Sequence, residues 1–531
     1  MYVSRDAIYC ILRECNKKRH LHDARRIRSL MNRNGFNSVT ILCDQLIRLF
    51  AVCGSLDEAN EIFRGVSYPT VFTWNAMLSA HEQHGESSDV LCMYRTMHVD
   101  GVAMPDPVTF LCALKACSNA GDINEGMIIH EHILATIHDP CVVVGNTLVN
   151  MYAKCGAMDD AQNVFDRLSD RNVVSWGVIL TGYSVNGLSI RTLELFESMK
   201  DEGVEPSRVT YLCALKACSS IGAIKRGQVL HGEITKSEFE CDCVLGSTLV
   251  DMYSKCDSLE DAHKVFDSLP VKDIVAWSAM IVGYTQHGHG EKALICFEEM
   301  KRDGIIPNVV TFLCILKACA SIRALGKGQA IHAEIVKEGF ETNVFIGNVL
   351  VDVYSKYGML VDAADILDTL TARDIVTWNS LIAGYVECGH GRQAIEYFEQ
   401  MLLEGVSPNS ITYASCLKAC ASIGDLEKAI EIHGEIEQNG LLERDTVIDN
   451  ALVSMYAKFG LFLKSEQVFD RMSNRTVVSW NTLIAGYAEH GRCKEALRCY
   501  EKMQLSFVNP DEVTYISSLK ACGSIGAIEK G

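Results

Sequence analysis

The chain has 531 residues, 48% apolar and 22% charged, with 49 basic and 67 acidic side chains and a formal net charge of −18. Its apolar share excludes a disordered chain, its nine prolines exclude a Pro-rich linker, and its acidic balance excludes a uniformly basic nucleic-acid binder. No apolar run approaches the roughly 18 residues of a membrane span, and the 23 cysteines, with no C-x-x-C among them, read as small buried thiols and not as a disulfide framework or a zinc site.

In chain order, the stretch from Met1 to Val39 carries nine basic and three acidic residues, so the net −24 lies in the remainder. It could be a targeting segment, but its "ILREC" sits where later segments carry "LKAC", so it reads as a worn repeat. The long period then becomes plain. The five tryptophans, Trp74, Trp176, Trp277, Trp378 and Trp480, are 101 or 102 residues apart. Pro105, Pro206, Pro307, Pro408 and Pro510 keep the same step, as do Lys115, Lys216, Lys317, Lys418 and Lys520, each inside "LKAC". Such a period marks an array.

Each period divides into three repeats, labelled L, S and P. The L repeats are 5–39, 107–141, 208–242, 309–343, 410–445 and a partial 512–531. The S repeats are 40–70, 142–172, 243–273, 344–374 and 446–476. The P repeats are 71–106, 173–207, 274–308, 375–409 and 477–511. Each predicts two helices. In 477–511, Trp480, Leu483, Ile484 and Tyr487 have amphipathic helical spacing, Gly491 marks a turn, and Ala496, Leu497, Tyr500 and Met503 form a second stripe. Pro510 lies beyond its end. Short helix pairs bury such stripes only by stacking.

The tetratricopeptide array is one comparison, but here the pattern is W-x2-L-x2-G-Y and the lengths alternate 35, 35, 31. That alternation, "VVSWNTLIAGY", "LKAC", "MYAKCG" and the closing "PD" or "PN" resemble the pentatricopeptide repeat family, specifically its P-L-S subclass, over residues 5–531. The resemblance implies an all-α, right-handed superhelical α-solenoid of stacked antiparallel helix pairs. It also implies binding of single-stranded RNA in a mitochondrion or chloroplast, one base per repeat. The family's reading pair is the fifth and last residue of a repeat. Here the pairs are Asn75/Asp106, Asn146/Asn172, Ser247/Asp273, Ser278/Asn308, Asn348/Asp374, Asn379/Asn409, Asn450/Thr476 and Asn481/Asp511. Gly177/Ser207 and Asp44/Thr70 depart from the pattern. In L repeats the fifth place is Tyr9, Leu111, Leu212, Leu313, Ala414 or Ile516, none able to discriminate bases by hydrogen bonding, so L repeats are expected to space the readers. The family's code then implies the target 5'-UNYNNGANUYNYU-3'. Lys154, Lys255, Lys356 and Lys458, at the thirteenth place of S repeats, are expected to meet phosphate.

Some residues imitate chemistry. His231, His332 and His433 open H-x-E triplets, the first half of a zinc-deaminase signature. They recur with His130 at one place in four successive L repeats, and no C-x-x-C completes a site, so helix packing is the expected role. "HEQH" at 81–84 lacks zincin spacing. No catalytic residue, metal or cofactor is expected. The family implies a specificity factor for RNA processing, most often cytidine-to-uridine editing, with an editing deaminase acting in trans. The alternatives are a protein-binding scaffold and the repeat portion of an editing enzyme whose deaminase domain lies downstream of residue 531.

Overall fold

The computed structural model describes residues 5–18, 20–99, 101, 103–137, 141–237, 239–442 and 445–525. Among them are 31 α-helices, one 3-10 turn at Phe36–Ser38 and no strand. No described helix is long and apolar enough to cross a membrane.

The helices alternate between a first and a second helix of each repeat, and every first helix begins on the repeat's first residue, from Arg5 to Glu512. The cause is local. The preceding residue is usually a short polar side chain on extended backbone that caps the new helix. Asp106 accepts from the Thr109 backbone N–H while the Thr109 hydroxyl accepts from the Asp106 N–H. Ser207, Asn308, Asn409 and Thr476 close the same box. Each cap contributes on the order of 1 kcal/mol. Between the two helices of a repeat, as between Val477–Glu489 and Cys493–Leu505, Gly491 turns the chain at φ 70°, a conformation that disfavours a Cβ.

The chain divides into two compact halves, Met1–Lys272 and Asp273–Gly531. Within each, a first helix packs on its own second helix and on the first helix of the next repeat. The tryptophans anchor this stack. In the N-terminal half Trp74 meets Phe63 and Trp176 meets Phe165, edge to face at 4.8 Å. In the C-terminal half Trp480 meets Phe469 at 4.7 Å. Each phenylalanine lies on the second helix of the preceding S repeat. The glycine before the P-repeat tyrosine permits close approach of first helices: a Cβ at Gly182 would stand 2.7 Å from the Ala153 Cβ, and one at Gly486 2.6 Å from the Ala457 Cβ.

The L-to-S junction uses the histidines. Nδ1 of His130, His231, His332 and His433 lies 2.9, 3.0, 3.0 and 2.6 Å from the hydroxyls of Tyr152, Tyr253, Tyr354 and Tyr456. Glu233 and Glu334 of the H-x-E triplets accept from Lys200 and Lys301 at 2.6 and 2.9 Å. The "LKAC" cysteines are buried packing residues. Burial pushes the Cys117 thiol up to about 12 and those of Cys218, Cys319 and Cys420 up to about 11, so they are poor nucleophiles at neutral pH.

Candidate nucleic-acid interface

The fifth residue of a P repeat sits on the first helix, one turn past its start, and the repeat's last residue caps the helix that follows. Stacking brings the two together. Asn481 Nδ2 donates to Asp511 Oδ1 at 2.8 Å, and Asn481 Oδ1 accepts from the Thr514 hydroxyl at 2.5 Å. Asn75 repeats this with Asp106 at 2.9 Å and Thr109 at 2.6 Å. Asn379 does so with Asn409 at 3.1 Å and Thr412 at 2.6 Å. In an S repeat, Asn348 Nδ2 donates to both Asp374 oxygens at 3.1 and 3.2 Å, and the Thr377 hydroxyl donates to Asn348 Oδ1. The threonine at the third place of the next helix therefore fixes which way the amide faces. Sequence spacing alone did not single out that threonine.

Other pairs are arranged differently. Ser278 bonds Thr311 at 3.3 Å, while Asn308 caps Thr311. Asn146 and Asn450 each keep a buried Oδ1 with no hydrogen-bond partner among the described residues, and Asn172 and Thr476 serve as caps. Ser247 and Asp273 belong to different halves; the Ser247 hydroxyl donates to the Cys243 carbonyl at 2.7 Å. Asp44, in the S repeat that departs from the pattern, is buried, and burial raises its carboxyl above the ordinary range against help from Thr73 and Arg48.

The dyads have defined charge. Burial works against ionisation of Asp374, but hydrogen bonds from Thr377 and Asn348 outweigh it and hold the carboxyl low. Hydrogen bonds from the Thr514 backbone, then from Asn481 and the Thr514 hydroxyl, hold Asp511 low. An Asn/Asp dyad thus keeps a second amide N–H to donate and anionic oxygens to accept. Uracil offers the complement, a carbonyl oxygen beside an imino N–H.

A second feature lies three residues earlier on the same helix face. Every first helix from Thr40 onward carries an apolar residue at its second place that remains 42–67% exposed, among them Ile41, Phe72, Val174, Val376, Val478 and Val513. Sequence reasoning missed this row. The signal was the "VV", "VF" or "IV" doublet opening half of the repeats, which reads as core by periodicity alone. In the C-terminal half one cleft of about 380 Å³ is lined by Lys458, Val478, Asn481, Asp511 and Val513. It brings the dyad together with two apolar side chains, one cation and the carboxylate of Glu489.

Of the four S-repeat lysines, all exposed, two are paired within their own helix: Lys255 with Asp251 at 2.9 Å and Lys356 with Asp352 at 2.7 Å. Lys154 and Lys458 form no ion pair among the described residues. The group of metal-ligating side chains found among the described residues is His81, Glu86 and Asp89, with ligand atoms within 4.8 Å of one another. His81 is already engaged there, 2.6 Å from Glu86 and 3.4 Å from Asn60.

The sequence matches the PPR repeat family over residues 171–220, 272–321, 373–422 and 475–524, and the PPR repeat itself over 72–102, 146–173, 247–274, 411–441 and 450–477. Among curated relatives, an Arabidopsis thaliana pentatricopeptide repeat-containing protein named as chloroplastic is 33% identical over 98% of this chain and 64% of its own length. A second chloroplastic one is 33% identical over 89% of this chain and 76% of its own. One named as mitochondrial is 32% identical over the whole chain and 76% of its own. The chain therefore spans just under two thirds of the first relative. Among solved structures, the pentatricopeptide repeat protein PPR10 in complex with an 18-nt psaJ RNA element superposes with a TM-score of 0.66 at 20% identity, covering 99% of this chain and 83% of that one. The chain belongs to the pentatricopeptide repeat family, and its fold is that family's helical-hairpin solenoid.

Proposed function

We propose that this chain is a P-L-S-type member that binds a specific single-stranded RNA in a chloroplast or mitochondrion. Its P and S repeats each read one base, and it acts as a specificity factor for RNA processing, in particular cytidine-to-uridine editing by a deaminase supplied in trans. The observation that carries the reading is the Asn481/Asp511 dyad, set in an open cleft that Val478, Val513 and Lys458 also line. That cleft offers an unstacked base what it needs: apolar surfaces for its faces, a polar pair for its edge and a cation for its phosphate. Organellar placement is supported by the relatives' names. RNA as ligand is supported by the superposed complex.

The test is selection of bound RNA from a random pool, followed by comparison with 5'-UNYNNGANUYNYU-3'. Enrichment of that string, strongest at the uridines opposite Asn75, Asn348 and Asn481, is the expected result. Recovery of unrelated sequences would overturn the assignment of readers.

A further inference from the structure

The L repeats lack a base-reading residue, yet each carries a basic side chain at its ninth place: Lys115, Lys216, Lys317, Lys418 and Lys520, with Arg13 in the first L repeat. The structure shows how sharply that place is singled out. In each "LKAC" from Lys115 to Lys418 the leucine, alanine and cysteine are buried and the lysine is exposed. Periodicity attached these lysines to a packing motif; the fold separates them from it.

Their direction follows from helix geometry. Seven residues after the second place, the ninth lies within about 20° of it around the helix, and it lies about 40° from the fifth. It therefore shares the face that carries the exposed apolar row. The cleft at Asn481 supports this, because its wall includes the ninth-place residues of two neighbouring first helices, Ser454 and Ala485. In the N-terminal half Lys115 approaches Glu82, on the first helix of the preceding P repeat, at 3.7 Å. Lys216, Lys317 and Lys418 form no ion pair among the described residues, whereas Lys255 and Lys356 are tied to aspartates one turn away. On this face of an acidic protein the uncommitted cations thus include Lys216, Lys317 and Lys418 of the L repeats beside Lys154 and Lys458 of the S repeats.

We propose that the ninth-place lysines of the L repeats, Lys216, Lys317 and Lys418 foremost, bind backbone phosphates of the RNA. L repeats then clamp the strand across nucleotides that the protein does not read, and so keep the readers on either side in register. The proposal rests on the RNA-binding reading above. A lysine suits the task because it meets phosphate as a compact point charge and imposes no base preference.

The experiment compares the whole chain with K216A/K317A/K418A, with the charge-retaining K216R/K317R/K418R, and with K225A/K327A/K494A, which removes three exposed lysines from second helices. The affinity for the 13-nucleotide target is measured against salt, alongside preference for U over G opposite Asn481. Each phosphate contact to a single strand adds about 0.7 to the slope of log K against log salt. The alanine triple should lose about 2 from that slope and keep its U preference, while the arginine and second-helix triples keep the wild-type slope. If the wild type selects U but the alanine triple keeps the full slope, or the second-helix triple loses as much, the L-repeat lysines are not phosphate ligands and the readers still stand. If the wild type shows no RNA binding, both readings fall.

Discussion

His231 and Tyr253 are joined by a 3.0 Å hydrogen bond that ties the second helix of an L repeat to the first helix of the S repeat after it. The same bond recurs at His130/Tyr152, His332/Tyr354 and His433/Tyr456. Burial disfavours the imidazolium in all four and lowers their pKa, most plainly at His231 and His332, where the nearby charge is an opposing aspartate, Asp261 or Asp362. At His130 and His433, arginines or lysines add to the depression while Asp160, Glu131 and Glu437 oppose it. The unfolded chain therefore binds protons more readily than the folded one. Stability from these sites is fully present above the ordinary histidine pKa of about 6.5 and is lost as pH falls below it. Melting followed by circular dichroism at pH 7.5 and 5.5 should show a lower Tm at the acid value. Replacing all four histidines by Gln should flatten the difference; an undiminished pH dependence in that variant would assign it to other groups.

The proposed role of the Asn481/Asp511 dyad as a base reader makes a directional prediction. Asn481→Thr removes the amide that donates to Asp511 and, in the family's code, moves the preference from U toward G. A single base-edge discrimination corresponds to roughly 5- to 150-fold in affinity. Fluorescence anisotropy with two RNAs differing only at that base should show the ratio invert or collapse, with affinity for the rest of the target retained. An unchanged ratio would remove Asn481 from the readers.

How far this site can be read from sequence depends on what each residue's neighbours do. Helix starts are legible because the caps are chemically explicit: Asp106, Asn308 and Asn409 each precede an apolar run with Thr three places on. The fifth-place amides are legible as polar residues in an apolar helix. The second-place row is not. A helix such as Val173–Val185 is apolar on nearly every face, so periodicity cannot show that Val174 and Val185 are left exposed while Trp176, Ile179 and Leu180 are buried. The direction of each amide was also hidden, because Thr109 or Thr514, which sets it, belongs to the next repeat and is contributed only by stacking.

The exposed row can be tested apart from the dyad. Val478 and Val513 flank Asn481 in the cleft, and covering a base face with one such side chain stabilises by about 1 kcal/mol. Val478→Ala should therefore weaken RNA binding several-fold for every base at that place, and Val478→Asp should weaken it more by adding a charge beside phosphate. Both sites are about half exposed, so thermal stability should stay near wild type. Loss of U preference with unchanged total affinity would mean that the valine acts through Asn481 and not on the base face.

The last prediction concerns a place where this chain breaks its own pattern. P repeats close the second helix on a glycine in the left-handed region, Gly203, Gly304 and Gly405 at φ 75–77°. The fifth P repeat puts Phe507 there at φ 58°, and the residue is 96% exposed. An L-residue pays about 1–2 kcal/mol in that region, and an exposed ring returns little of it through packing. Arg323, at φ 54°, stands where other L repeats have Gly121, Gly222 and Gly424. Phe507→Gly should therefore stabilise the Cys493–Leu505 helix against local opening by about 1 kcal/mol, after allowing for the extra freedom that glycine gives the unfolded chain. Stability in a repeat array is local, so hydrogen exchange of that helix's amides reads the effect more directly than a global melt. Slower exchange there, with the Gly391–Leu403 helix unaltered, is the expected result. The reverse exchange, Gly405→Phe, should loosen Gly391–Leu403 to a similar degree. If Phe507→Gly accelerates exchange instead, the ring holds this turn through contacts that outweigh its backbone strain.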